Sequence, residues 1–83
     1  MSELITLQIS AKIYWGFNIK IERNLLNEMT HKQVIDYMKI QMKDFFQYHN
    51  LLELKEGIDE LNLHIHGNFD FNNVNILYLC DHS

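Results

Sequence analysis

The side chains best suited to chemistry lie toward the C-terminal end of the chain. His64 and His66 are two apart, and so are Cys80 and His82. On a β-strand, residues i and i+2 project from one face, so each pair has the spacing of a chelating arm. On neighbouring strands with a shared face, the four would form a Cys-His₃ set of the tetrahedral zinc type. The parity of the closing segment opposes that arrangement. Val74, Ile76, Tyr78 and Cys80 alternate with Asn75, Leu77, Leu79 and Asp81. Four apolar side chains against two make the even set the core face, and a lone Cys is commonly buried. Cys80 then turns away from the histidines, and no metal and no cofactor is expected.

Catalysis finds little support. Cys80 with a nearby His has the composition of a thiol nucleophile, but no second Cys and no Gly-rich loop accompany it. Asp59 and Glu60 fall in a charged stretch that reads as solvated surface, and no phosphate-binding motif occurs. Lys32, Lys39 and Lys43 share one side of a helical stretch. Asp36 interrupts them, and the net charge of the chain is −4 with a pI near 5.6. A nucleic-acid partner is therefore not expected, and the lysines read as an ordinary wet helix face.

The elements that must position these groups are legible from periodicity. Ile5, Leu7, Ile9, Ala11 and Ile13 alternate with Thr6, Gln8, Ser10 and Lys12, the pattern of a half-buried strand. Phe17, Ile19 and Ile21 resume it after Gly16, which predicts a hairpin. A three-residue loop, Tyr14-Trp15-Gly16, would pair Ile13 with Phe17, Ala11 with Ile19 and Ile9 with Ile21. It would also place Gly16 where a type I turn with a G1 bulge requires positive φ. Replacing Gly16 by Val would then cost about 1–2 kcal/mol or more.

Residues 24–29 read as a connection with apolar anchors. Thr30 and Gln33 have capping-box spacing and open an amphipathic helix. Its inner arc holds Val34, Ile35, Met38, Met42, Phe45, Phe46 and His49. His49-Asn50 is a suitable end, since Asn tolerates the left-handed conformation. Residues 50–60 read as a charged loop with a short turn or edge strand. Leu61, Leu63 and Ile65 alternate with Asn62, His64 and His66 in a further strand, and residues 74–80 form a last strand that is apolar on both faces. The expected core is Ile5, Leu7, Ile9, Ile13, Ile19, Ile21, Val34, Met38, Met42, Phe45, Leu63 and Ile65, with one face of the last strand.

The order is β-β-α-β-β in 83 residues, a single α+β domain over 1–83. Segments 5–13, 17–22, 30–49, 61–67 and 74–80 together resemble the ubiquitin-like β-grasp roll in order and spacing. The resemblance implies a four-stranded mixed sheet, with the last strand central and parallel to the first and one helix packed on one face. The span 67–74 is shorter than ubiquitin's and leaves little room for its additional short strand. The chain ends Leu79-Cys80-Asp81-His82-Ser83, without the Gly-Gly that conjugated members carry. Conjugation is therefore not expected.

A roll covered on one face leaves the other free. With the even side of the last strand as core, Leu77 and Leu79 emerge on the open face, beside Asn62, His64 and His66. Tyr14 and Trp15 sit at the hairpin tip, where a water-soluble domain gains little by exposing them. An apolar centre with a polar rim suits protein binding. The function expected is a non-enzymatic, monomeric interaction module of a larger intracellular scaffold protein, with this chain as its N-terminal domain. Its partner would be a protein, not nucleic acid or membrane. The alternatives are a stand-alone small regulator or inhibitor, of the sort that viruses and mobile elements encode, and a small zinc-binding protein using His64, His66, Cys80 and His82.

Overall fold

A computed structural model describes residues 3–11, 16–66 and 74–81. The elements are β1 (Leu4–Ala11), β2 (Gly16–Glu22), α1 (Arg23–Asn27), α2 (His31–Tyr48), α3 (Leu52–Glu56), a 3₁₀ turn (Ile58–Glu60), β3 (Asn62–Ile65) and β4 (Asn75–Asp81). They form one four-stranded sheet in the order β2-β1-β4-β3. β1 runs antiparallel to β2 and parallel to β4, and β3 is antiparallel to β4. The chain thus has an α+β fold of β-grasp topology, with its helices between the second and third strands.

Alternation explains why one face is dry. Ile5, Leu7 and Ile9 of β1, Ile19 and Ile21 of β2, Leu63 of β3, and Ile76, Tyr78 and Cys80 of β4 are all buried. Val34, Met38 and Met42 of α2 close over them at i+4 spacing, which keeps one row of side chains on the sheet. The helix begins as its capping box requires. The Gln33 amide donates to Thr30 Oγ1 at 3.2 Å, and the Thr30 amide donates to Gln33 Oε1 at 2.9 Å. It ends at His49, and Asn50 follows with φ 61°.

The hairpin register differs from the expectation. Ile9 lies opposite Phe17, Leu7 opposite Ile19 and Ile5 opposite Ile21. A shift by an even number of residues keeps apolar beside apolar, so alternation alone cannot choose between the two registers. The choice is made at the other end of the hairpin. Arg23 opens α1, so β2 stops at Glu22, and only the observed register gives Ile5 a partner. The Arg23 amide donates to the Glu3 carbonyl at 2.8 Å, and its Nε meets Glu3 Oε2 at 3.0 Å, which fixes that end. Gly16 is the first residue of β2, paired with Ser10, and does not have positive φ. Ile13, Tyr14 and Trp15 lie outside the described residues.

Other expectations are corrected. Residues 24–27 of the expected connection belong to the short helix α1, whose Leu26 is buried. Residues 50–60 hold α3 and the 3₁₀ turn, whose Ile58 is also buried. Phe45 is 44% exposed rather than core, because the i+4 row continues through Phe46. Ile65 is only partly buried, and Val74 is exposed just ahead of β4. Lys39 and Lys43 do not simply face water. Lys39 Nζ donates to the Asp59 carbonyl at 3.3 Å, and Lys43 Nζ is ion-paired with the Asp59 carboxylate. The two lysines tie the 3₁₀ turn, and with it Ile58, to the helix.

Candidate protein-docking face

The open face of the sheet is assembled from the residues that alternate with the core. β4 is central, and its odd residues Leu77 and Leu79 leave the sheet on the side away from α2. Leu77 lies beside Gln8 of β1, and Leu79 lies between Ser10 of β1 and His64 of β3. The His66 amide donates to the Leu77 carbonyl at 2.8 Å, continuing the β3–β4 ladder by one residue. Asn62 stands opposite Asp81. The ladder therefore brings five of the sequence-predicted residues, Asn62, His64, His66, Leu77 and Leu79, to one face.

Their environments differ in a way that matters for binding. Leu77 and Leu79 are half-buried by their neighbours, and neither packs against the core cluster. Asn62 and His66 are exposed and His64 is half-buried. Leu4 belongs to the same face and is 56% exposed, a residue the sequence reading did not single out. The signal was available, since Leu4 is an even position of β1 and opposes Glu22. Thr6, Gln8 and Ser10 of β1 and Asn18 and Lys20 of β2 complete the surround with polar groups.

Cys80 is buried on the opposite side of β4, paired with Leu63. His64 pairs with Leu79, so Cys80 and His64 belong to opposite faces of the sheet. His82 lies outside the described residues. No group of three or more His, Cys, Asp or Glu side chains converges as a metal site among the described residues. No helix among them is long and apolar enough to cross a membrane.

No family model, curated protein or solved structure matches the chain. The β-grasp assignment rests on strand order and register.

Two aromatic features lie on the covered side of the sheet. At the C-terminal end of α2, Phe45 meets Phe17 edge-on with ring centroids 5.0 Å apart and His49 at 4.4 Å. In the core, the Tyr78 ring stacks on His31 at 5.7 Å. The Tyr78 hydroxyl is buried and has no hydrogen-bond partner among the described residues. Burial pushes its phenol up to about 12 from the ordinary 10.0, because the phenolate would be charged in a dry environment.

Proposed function

We propose that this domain is a non-catalytic docking module of ubiquitin-like shape that meets a partner protein through its open sheet face. Leu77 and Leu79 form the apolar centre of the contact, and Asn62, His64 and His66 its polar border. Tyr14 and Trp15, which lie outside the described residues, are assigned to its rim from sequence alone. One observation carries the reading. Two leucines occupy a central strand, on the side the helices do not cover, without packing against the core. They lie outside the core cluster, and an apolar centre with a largely polar border is the anatomy of a protein interface. A place within a larger intracellular scaffold protein accords with a small domain of this topology.

The test is affinity capture from the native host with the wild type beside the Leu77→Ala/Leu79→Ala double variant and a Lys32→Ala control on the far side of α2. The double variant should lose the partner, since each leucine is expected to contribute about 1–2 kcal/mol of binding. The control should retain it. Equal capture by all three would remove the open face from the account.

A further inference from the structure

Charge and exposed apolar side chains gather at the same end of the molecule. Asp44, Glu53, Glu56, Asp59 and Glu60 against Lys55 give residues 44–60 a formal charge of −4, which is the net charge of the whole chain. That stretch also carries Phe45, Tyr48, Leu51, Leu52 and Leu54, five of the nine large apolar side chains exposed among the described residues. The turn from α2 into α3 brings them together. The Leu51 amide donates to the Phe46 carbonyl at 2.7 Å, and the Asn50 amide to the Gln47 carbonyl at 3.0 Å. With Asn50 at φ 61°, this pair of bonds closes the helix around a left-handed residue and turns the chain back. α3 is then tied to α2 through Lys55, whose Nζ donates to Gln47 Oε1. Lys55 is half-buried by that contact, and every other residue of α3 is exposed. Leu52 and Leu54 are 52% and 55% exposed, so α3 presents its leucines and its acids to the outside together.

We propose that α3 and the turn before it dock a cationic amphipathic segment of another protein. The apolar side of that segment covers Leu51, Leu52 and Leu54, and its lysines or arginines meet Glu53 and Glu56. The acids decide the occupant. Asp59 is neutralised by Lys43, whereas Glu53 and Glu56 make no ion pair among the described residues. Apolar groups in an uncompensated anionic surround repel nucleic acid and anionic membranes and attract lysine and arginine. A second copy of this chain does not supply those groups. Arg23 is paired with Glu3, Lys39 and Lys43 are held by Asp59, and Lys55 is held by Gln47. Of the other described cations, Lys20 lies on β2 between Asn18 and Glu22, and Lys32 lies one helical turn from Asp36, so they form no cluster. An amphipathic helix is the form that matches, since one face can offer leucine-sized anchors while its flanks carry the charge. The helices lie on the covered side of the sheet, so this surface is separate from the open face, and the two proposals stand or fall independently.

Calorimetric titration of the full chain with a synthetic leucine–lysine peptide, its leucines at helical spacing, tests this surface. The comparison is an isomer of the same composition with its leucines spread round the helix. The wild type should bind the amphipathic peptide about tenfold or more tightly than the isomer, and less tightly as salt is added. Glu53→Lys/Glu56→Lys should weaken binding about tenfold or more. Glu28→Lys/Asp36→Lys makes the same change in net charge at exposed positions away from α3, and should alter binding by less than about threefold. Leu52→Ala/Leu54→Ala should weaken binding about tenfold, and Leu77→Ala/Leu79→Ala should leave it unchanged. Three results would each overturn the proposal: no preference for the amphipathic peptide, equal losses from the two charge reversals, or full binding by the Leu52/Leu54 variant. A loss confined to the Leu77/Leu79 variant would place the peptide on the open face and likewise refute it. Circular dichroism checks each fold, and should the Leu52/Leu54 variant not fold, the contrast between the two charge reversals decides.

Discussion

β4 presents two apolar sides that meet different fates. Ile76, Tyr78 and Cys80 enter the core beneath α2, with Tyr78 0% exposed, whereas Leu77 and Leu79 stay half-buried on a face that also carries Leu4 among mostly polar residues. The strand is central, with β1 and β3 along its two edges, and among the described residues only one of its faces is covered by a second layer. Burial in a sheet interior and burial in a core are thus separate things. The first shields the backbone and the stems of side chains. The second removes whole side chains from water, at about 25 cal/mol per Å² of apolar surface.

Substitutions can break or sharpen this division. The largest effect is expected from the covered side. Leu7→Ala removes a fully buried side chain from β1 and should cost about 2–5 kcal/mol in a denaturant titration. A loss well below that range would mean the covered side is loosely packed. Tyr78 should show the cost of dryness itself. Tyr78→Phe deletes an unpartnered buried hydroxyl and should raise stability by about 1 kcal/mol. The same group gives the domain an alkaline limit. Its pKa is raised on folding from 10.0 to about 12. The stability linked to the neutral phenol is therefore fully present below pH 10 and is lost as pH rises through about 12. Unfolding followed across that window should be delayed in Tyr78→Phe. If wild type and variant unfold together there, the hydroxyl is not in a dry site.

A smaller effect is expected where the covering layer begins. Thr30→Ala removes the oxygen that accepts the Gln33 amide and should cost about 1 kcal/mol by thermal or denaturant unfolding. The smallest is expected at the start of β2. A Cβ on Gly16 would meet the Ile9 carbonyl oxygen at 3.6 Å, an ordinary contact, in a backbone without positive φ. Gly16→Ala should therefore change stability by less than about 0.5 kcal/mol. A loss above about 1 kcal/mol would restore the turn conformation expected from sequence.

That last residue shows what the sequence could and could not say. Strand identity, face assignment and the helix start were legible because each rests on a local rule: alternation, the count of apolar residues on β4, and the Thr30–Gln33 spacing. Asn50 was legible for the same reason, as a residue tolerant of the left-handed conformation it adopts. The hairpin register was not, because two even-numbered shifts satisfy alternation equally and the deciding contact, Arg23 with Glu3, joins residues far apart in sequence. Leu26 and Ile58 were missed as core because each sits in a helical segment too short to show a period. Phe45 was misplaced because helical arcs are broad, while the fully buried positions of α2 are Val34, Met38 and Met42, and Ile35, Tyr37 and Phe46 rather than Phe45 pack beside them. Of the candidate site, Leu77, Leu79 and the histidines followed from parity.

Equilibrium urea unfolding of Leu77→Ala/Leu79→Ala beside Ile76→Ala tests the division of β4 most directly. Ile76→Ala should lose about 2–5 kcal/mol, as a buried aliphatic truncation does. The double variant, despite removing two side chains, should lose less than Ile76→Ala alone. A double-variant loss equal to or greater than that of Ile76→Ala would show that both sides of β4 hold the fold together, and would contradict a face kept free for a partner.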